Sequence, residues 1–235
     1  MKKINFLRSI DKRKRQIKTR KKFKTSQIVK TAQKFGKEYF DGNRKYGYGG
    51  YYYDGRWKKV VNDFIDYYKL KPGDKVLDVG CAKGYLVKDL LDRKIDAYGI
   101  DISEYAIKNS HPKTKGRLFV ANATNIPFPK KAFKLVISIN TIHNLPKKKC
   151  AKAIKEIMRT SSKHTYLQVD AYNNLKEKKI FLDWVLTAKY HNYCEKWEKF
   201  FRENKYKGEY YWTFVWYIIK KFSMKKYCIL GGGGS

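Results

Sequence analysis

The chain is poor in acidic residues and in cysteine, and it has no long apolar run. Twenty-one Asp and Glu stand against 54 Lys and Arg, which leaves a net charge of +33 in 235 residues. The four cysteines lie far apart without a C-x-x-C pair, so we predict reduced thiols and no metal site. No apolar run reaches the ~20 residues that span a bilayer, and the charged amino-terminal region does not look like a secretory signal. We therefore expect a cytoplasmic protein without a membrane span.

The excess of basic residues favours a partner that carries phosphates or an anionic surface. The alternative is a compositional bias toward lysine, because the lysines are spread along every segment and would mostly solvate the surface. The densest basic run occupies residues 1–24, which we predict to be a flexible or loosely helical arm. Both interpretations of the charge stay open from the sequence alone.

Composition divides the rest of the chain into three further segments. We predict N-terminal helices and a lid over 25–72, a Rossmann-like domain over 73–230 and an appended GGGGS linker over 231–235. Helical spacing of apolar residues predicts one helix over about 25–40. A second helix is predicted over 57–68, before a KPGD turn.

Short apolar runs alternate with amphipathic segments from residue 75 onward. The runs are KVLDVG, AYGIDI, RLFVANA, KLVISIN and TYLQVDAY. Strand-like runs separated by helical lengths predict an α/β fold, with a doubly wound, mostly parallel sheet and helices on both faces. The tail predicts helices around 180–185 and 197–201, and a last strand over 210–219 at the sheet edge, where an antiparallel direction is allowed.

Polar residues follow three of the predicted strands, at the edge where ligands of such a sheet bind. The first strand ends in VLDVGCAKGYLV, so Asp78 precedes a turn bracketed by Gly80 and Gly84. The second ends at Asp101, 21 residues after Gly80, where an acid accepts hydrogen bonds from a ribose diol. The third ends at Asn122, whose amide suits an adenine edge. A nicotinamide site is disfavoured because its turn has G-x-G-x-x-G spacing, whereas this one reads GCAKG.

These strand ends, together with NATNIPFPKKAFKLVISINTIHNL over 122–145, resemble the class I S-adenosylmethionine-dependent methyltransferases, particularly their small-molecule branch. The resemblance covers about 75–159 and implies S-adenosyl-L-methionine as the cofactor. It implies that Asp78 lies near the methionine part, that Asp101 takes the ribose hydroxyls and that Asn122 and Ala123 hold adenine. The implied cofactor-binding residues are Asp78, Gly80, Cys81, Gly84, Asp101, Ile102, Asn122, Ala123 and Asn140.

The chain departs from the family pattern at three positions. Ala82 replaces a common glycine, Asn122 a frequent aspartate and Lys134 an acid. None of the three removes a group that the cofactor requires. The pattern therefore still predicts an S-adenosylmethionine site.

The end of the fourth predicted strand faces the acceptor in this family. It reads NTIHN over 140–144, which makes His143 the candidate base or orienting group, while the alternative is a histidine that only hydrogen-bonds a loop. The Asn/Asp-Pro-Pro-aromatic motif of base N-methylating enzymes is missing there. An RNA methyltransferase that uses the basic arm, and a non-catalytic protein of the same fold, remain as alternatives.

The segment KYGYGGYYYDGRW over 45–57 has three interpretations. Its glycines and tyrosines are typical of a mobile lid over the acceptor, and the alternatives are aromatic packing and a stacking platform for single-stranded bases. As a lid it favours a small polar or anionic acceptor that is methylated on O or N, with arginines as an anion clamp. The predicted substrate-binding residues are Arg44, Tyr46, Tyr48, Tyr51, Arg56, Trp57, His143 and Asn144.

Overall fold

The computed structural model of the protein describes residues 1–10 and 15–215. Its described part contains one sheet of eight strands. The strands are β1 (Lys2–Lys3), β2 (Lys75–Val79), β3 (Asp96–Asp101), β4 (Leu118–Val120), β5 (Phe133–Ile139), β6 (Ser161–Tyr172), β7 (Asn192–Tyr193) and β8 (Glu209–Thr213).

The strand order is β1-β8-β6-β5-β2-β3-β4, with β7 paired to β6 outside this path. Every pairing between these strands is parallel, so their carboxyl ends meet at one edge of the sheet. From β2 the chain adds β3 and β4 on one side, and then β5, β6 and β8 on the other. The topological switch point therefore lies between β2 and β5, where ligands of such sheets bind. The predicted α/β fold with a mostly parallel, doubly wound sheet is confirmed.

Helices cover both faces of the sheet and its carboxyl edge. Those described are α1 (Ile17–Phe23), α2 (Ser26–Ala32), α3 (Lys37–Phe40), α4 (Trp57–Tyr68), α5 (Tyr85–Asp92), α6 (Glu104–Lys108), α7 (Lys147–Thr160), α8 (Leu175–Trp184) and α9 (Cys194–Glu203). Short 3-10 helices lie at Phe6–Ser9, Pro112–Thr114 and Ile142–Asn144. None of the helices in the described ranges is long and apolar enough to cross a membrane.

Two apolar cores form because neighbouring strand residues point to opposite faces of the sheet. Val76 packs with α4 and α5 on one face, whereas its neighbour Leu77 packs with α7 and α9 on the other. Leu135 and Val136 of β5 divide in the same way. A third, smaller cluster joins α1 and α8 beyond the end of β6. The apolar strand runs of the sequence therefore reflect burial on both sides.

The helix predicted over 57–68 is confirmed as α4, whose apolar face is buried in the core. The helix predicted over about 25–40 begins as expected, because the Thr25 hydroxyl accepts the Ile28 N–H and caps α2. The prediction of one continuous helix is wrong, because the structure has two helices in this range. Phe35 has a φ of +51°, in the left-handed region, and this turn separates α2 from α3.

Residues 1–24, which were predicted as a flexible or loosely helical arm, contain the helix α1, and the start of this segment is packed against the sheet. Phe6 is 2% exposed, and its ring centroid lies 4.6 Å from that of Phe64 and 5.0 Å from that of Tyr166. The preceding strand β1 pairs with β8, so the amino terminus extends the sheet. Burial of the Phe6 ring and the pairing of β1 with β8 order the start of this segment, whereas Lys2 and Lys3 stay exposed. The predicted segment boundaries stay predictions.

The last predicted strand is present as β8 but not as an antiparallel edge. It pairs in parallel with β6 on one side and with β1 on the other, so β1 is the edge strand. The amino-terminal pairing could not be read from a local pattern, because two residues carry no periodicity. The rest of the predicted strand, over 216–219, and the linker over 231–235 lie outside the described residues.

Candidate active site

A cavity of about 1190 Å³ opens at the switch point of the sheet. The ends of β2, β3, β5 and β6 form its floor, and residues from the N-terminal segment and the 45–57 segment form its walls. It is larger than the roughly 300–1,000 Å³ of a usual pocket for one ligand. The space therefore accommodates two neighbouring ligands.

Asp78 is the buried acid of this floor. Asp78 is the penultimate residue of β2, is 5% exposed and lines the cavity. Burial, with a smaller contribution from Asp101, raises its pKa to about 8. No cation among the described residues offsets that shift. A positively charged ligand group beside Asp78 would stabilise its ionised form.

Asp101 organises the turn after β2 from the end of the neighbouring strand. Its Oδ2 accepts the Ala82 N–H at 2.8 Å, and its Oδ1 accepts the Ser103 N–H at 2.9 Å. Burial raises the pKa of Asp101, and these backbone hydrogen bonds oppose that rise. Each carboxylate oxygen keeps further acceptor capacity on the cavity side, which suits a diol. Ala82 adopts φ +50°, so the residue that departs from the family pattern takes a left-handed conformation.

Gly80 is required by close packing within the turn. It has φ +88°, and a Cβ placed on it would lie 2.0 Å from Thr141 Oγ1. The turn therefore touches the end of β5 directly. Gly84 also has a positive φ, but a Cβ there would meet Leu118 behind the turn, and Gly84 does not line the cavity. Gly84 thus supports the turn from behind, away from the predicted contact with the cofactor.

The remaining predicted cofactor residues reach the cavity. Ile102 is 54% exposed, so its side chain forms an open wall beside Asp101. Asn122 Oδ1 accepts from both the backbone N–H and the hydroxyl of Thr124, which leaves its amide group as the available donor. Burial raises the pKa of Cys81 well above its ordinary value, so this thiol stays protonated. The residues of this set that line the cavity are Asp78, Gly80, Cys81, Asp101, Ile102, Asn122, Ala123 and Asn140.

His143 is buried on the opposite side of the cavity, and both of its ring nitrogens face Asp170. Nδ1 accepts the Asp170 backbone N–H at 3.1 Å, and Nε2 lies 3.4 Å from Asp170 Oδ2. Burial lowers the pKa of His143, and the Asp170 charge opposes that shift. The imidazole is therefore neutral, and because Nδ1 accepts a hydrogen bond its proton is on Nε2. In this tautomer the Nε2–H lies near the Asp170 carboxylate, and the ring has no lone pair left for an acceptor.

The 45–57 segment combines wall and packing. Tyr48 and Tyr51 line the cavity with ring centroids 4.4 Å apart. Tyr53 instead donates its hydroxyl to Asp89 at 2.6 Å, and Tyr85 donates to the Tyr51 carbonyl at 2.9 Å. These contacts fasten the segment to α5. The interpretations as wall and as packing therefore each describe part of it.

The two arginines predicted as a clamp are engaged within the segment. Arg44 donates to the Gly47 and Tyr48 carbonyls, and Arg56 forms an ion pair with Asp54 through two nitrogens. Both line the cavity together with Trp57 and Asn144. Tyr46 does not line it, and the Lys45 ammonium lies 5.0 Å from its ring centroid instead. Neither arginine is placed as a free clamp on a ligand.

Residues 76–164 match the family model described as "Methyltransferase domain". The match includes the strand ends that carry Asp78, Asp101, Asn122 and Asn140. Over these residues the chain is similar to the methyltransferase domains whose cofactor is S-adenosyl-L-methionine.

Curated relatives of this chain include archaeal, bacterial and plant proteins. An uncharacterized protein of Methanocaldococcus jannaschii is 29% identical over 138 residues, which cover 58% of this chain and 53% of that protein. An uncharacterized methyltransferase of Bacillus subtilis is 37% identical over 94 residues, which cover 37% of this chain and 50% of the relative. The chain therefore spans about half the length of these curated relatives.

A solved structure described as a SAM dependent methyltransferase from Archaeoglobus fulgidus has the same fold. It superposes with a TM-score of 0.50 and 19% identity, covering 63% of this chain and 66% of that one. At this identity the likeness concerns the fold alone.

Several residues beside the methyltransferase domain's cavity were missed by the sequence analysis. Asp170 lies two residues before the end of β6, near the carboxyl edge where Asp78 and Asp101 also lie, so its place near a strand end was an available signal. Asn144, by contrast, was predicted to bind substrate; its Oδ1 is buried without a hydrogen-bond partner among the described residues and lies beside the cavity. Arg15 and Arg20 belong to the segment interpreted as an arm, and no local pattern distinguishes them from its other basic residues. Trp184 belongs to α8, which was predicted as a helix without a place in the site.

Proposed function

We propose that the protein is an S-adenosylmethionine-dependent methyltransferase that methylates an O or N atom of a small polar or anionic molecule. One observation carries the proposal. A single cavity joins the acidic strand ends of β2 and β3 to a second wall formed by the His143–Asp170 pair, tyrosines and arginines. One side suits the cofactor, and the other offers room and polar groups for an acceptor.

The chain's own residues fit that cofactor. Asp78 is a buried carboxyl group with a raised pKa and no cationic partner among the residues described, so it favours a positively charged ligand group. Asp101 offers lone pairs for a diol, and the Asn122 amide can donate to an adenine edge. When bound, S-adenosylmethionine supplies an electrophilic methyl group.

The wall formed by the His143–Asp170 pair, the tyrosines and the arginines would promote methyl transfer by positioning the acceptor more than by activating it. An in-line displacement chiefly needs the acceptor atom held against the methyl carbon. A hydroxyl acceptor also needs its proton removed, and an amine must lose one after transfer. Asp170 is the acid that lies in the cavity beside His143, so we assign proton acceptance to Asp170. His143 acts as a positioning residue that directs Nε2–H at this carboxylate.

An RNA acceptor is the second candidate, and the net charge of +33 is the observation in its favour. Against it, strand β1, the buried Phe6 and the buried Arg20 place much of the predicted arm within the fold. The missing Asn/Asp-Pro-Pro-aromatic motif counts against exocyclic base methylation. A non-catalytic role is the third candidate, although both Asp78 and Asp101 are retained.

Methyl transfer can be followed with S-adenosylmethionine labelled in its methyl group. The full chain is incubated with a small-molecule extract in one reaction and with total RNA in another, and label is counted in each fraction. We expect label in the small-molecule fraction and none in RNA. Label confined to RNA would promote the second candidate. Binding of the cofactor without any transfer in either reaction would favour the third.

A further inference from the structure

Three guanidinium groups converge on the ring of Trp184 at the end of α8. The guanidinium carbon lies 4.5 Å from the ring centroid for Arg20, 5.4 Å for Arg15 and 5.5 Å for Arg44. All four side chains line the same cavity as Asp170. Stacking on an aromatic face holds a guanidinium in place while its N–H edge stays available for hydrogen bonds.

Arg20 is buried without an acidic partner among the described residues. It is 7% exposed, and one of its N–H groups donates to the Gly47 carbonyl at 3.1 Å. A guanidinium carries five N–H donors, so this bond satisfies a small part of its capacity. Burying a charge without a counter-charge is costly. The fold therefore maintains an arginine that a bound anion would stabilise.

The neighbouring charges add to this cost. Burial, with smaller contributions from the charges of Arg44 and Arg15, lowers the pKa of Arg20 to about 10. Burial also lowers the pKa of Arg15, and the Asp170 carboxylate opposes that shift. Asp170 itself lies against His143, at 3.4 Å from Nε2. The like charges around Trp184 are thus only partly balanced by the acid that faces them.

The elements that carry the arginines are fixed to one another. Lys21 of α1 forms an ion pair with Asp183 of α8 at 3.1 Å, and the Lys24 ammonium donates to the Leu182 carbonyl at 2.5 Å. Ile17 of α1 packs in the same apolar cluster as Trp184. These contacts hold α1 against α8, so Arg20 keeps its position over the ring without a ligand. Such preorganisation reduces the entropic cost of binding.

We propose that Arg15 and Arg20, held over Trp184, bind an oxyanion, either carboxylate or phosphate, that is carried by the methyl acceptor. The proposal deepens the proposed function and rests on it for the identification of the anion's carrier. Both oxyanions match the planar N–H fork of arginine. The site replaces the predicted clamp of Arg44 and Arg56. It also gives the basic N-terminal segment a role inside the cavity, where a nucleic-acid backbone would not reach the buried Arg20.

The test uses the full chain without added cofactor. Thermal unfolding is measured at fixed pH and ionic strength while chloride is exchanged for inorganic phosphate in one series and for acetate in another. The variants are Arg15→Gln and Arg20→Gln. The matched control is Arg8→Gln, because Arg8 is a basic residue of the same segment that pairs with Asp63 and is exposed. Arg15→Gln carries the test if Arg20→Gln does not fold.

Anion-dependent stabilisation is expected for the wild type and Arg8→Gln, since a ligand that binds the folded state raises the unfolding midpoint. Arg15→Gln and Arg20→Gln should weaken the apparent affinity about tenfold or more, because each removes charge-assisted hydrogen bonds. The series with the tighter binding identifies the oxyanion as phosphate or carboxylate. Equal responses in wild type and both variants would overturn the proposal. The proposal would also be overturned if single-stranded RNA displaced phosphate from the wild type but not from Arg20→Gln. Arg20 would then bind RNA.

Titration with S-adenosylmethionine separates this proposal from the proposed function. Cofactor binding without an anion response refutes the arginine site and leaves methyl transfer standing. An anion response without cofactor binding supports the oxyanion site but refutes the idea that the anion belongs to a methyl acceptor.

Discussion

The backbone N–H of Asp170 donates to His143 Nδ1 at 3.1 Å, while Asp170 Oδ2 lies 3.4 Å from Nε2 of the same ring. One residue therefore fixes both nitrogens of the imidazole. Burial keeps the pKa of His143 below its ordinary value, so the ring is neutral at physiological pH. His143 was predicted from the sequence as a candidate base, whereas we propose that Asp170, which contacts both ring nitrogens, takes that role.

Asp170→Asn should lower turnover about 100-fold or more, because it removes a carboxylate that can accept the acceptor's proton. His143→Gln should lower turnover less, since the carboxylate remains but loses its orienting N–H. Both variants should keep the affinity for S-adenosylmethionine. The measurement is kcat together with the cofactor Kd from isothermal titration.

Asp66→Asn is the matched control, because Asp66 is an exposed acid on α4. It should leave both parameters unchanged. A His143→Gln protein that is less active than Asp170→Asn would contradict this assignment and restore His143 as the base.

Asp78 should make the folded chain less stable as the pH rises. Its pKa in the folded state is about 8, above the ordinary value of 3.8, so the folded state holds a proton that the unfolded state loses near pH 4. The stabilising contribution is complete below about pH 4 and is lost as the pH rises through about 8. Its upper limit is about 1.4 kcal/mol for each pH unit within this window.

Denaturant unfolding of the wild type and Asp78→Asn at pH 5 and pH 8.5 measures this contribution. The wild type should lose more stability between the two pH values than Asp78→Asn does. Because Asp101 is present in both proteins, its own raised pKa cancels from the difference to first order. Parallel losses in the two proteins would show that Asp78 is ionised throughout.

Lys83 connects the cofactor turn to the N-terminal segment. Its ammonium donates to both oxygens of Asp41, at 2.8 and 2.7 Å, and Asp41 also accepts from the Tyr105 hydroxyl and the Tyr51 N–H. Burial acts to raise the pKa of Asp41, but these hydrogen bonds outweigh it and leave the pKa below its ordinary value. Because Lys83 is only 8% exposed, the Lys83–Asp41 ion pair is partly buried.

Lys83→Met should destabilise the fold by about 1–3 kcal/mol, because Asp41 loses its cationic partner. It should also speed amide hydrogen exchange over residues 45–56, which this anchor holds near the turn. Lys115→Met is the control, since Lys115 is an exposed lysine of the neighbouring loop. Unchanged exchange in Lys83→Met would mean that the contacts of Tyr53 and Tyr85 with this segment suffice.

The sequence was most informative where structure is local. The apolar face of α4 and the caps Thr25 and Ser103 follow from periodicity and from hydroxyl acceptors placed before a helix. The acids near the ends of β2 and β3 could also be located, because a short apolar run predicts each of these strands. Parallel pairing then brings these ends to one edge of the sheet.

The sequence was least informative where contacts join distant segments. Phe6 is the single aromatic that fixes the amino terminus, and charged residues surround it in the chain. The arginines around Trp184 come from segments more than a hundred residues away from it, so no spacing rule relates them. The Arg56–Asp54 pair is local, but whether an arginine turns to a neighbouring acid or to a ligand is decided by tertiary packing.

The central claim is that this cavity binds S-adenosylmethionine through Asp101, and isothermal titration of Asp101→Ala tests it most directly. The control is Asp96→Ala, at the opposite end of the same strand, where Asp96 pairs with Arg117. The wild type and Asp96→Ala should bind the cofactor alike, and Asp101→Ala should bind about 30-fold more weakly, an effect of about 2 kcal/mol. Equal affinity in Asp101→Ala, or no binding by the wild type at high micromolar cofactor, would contradict the account.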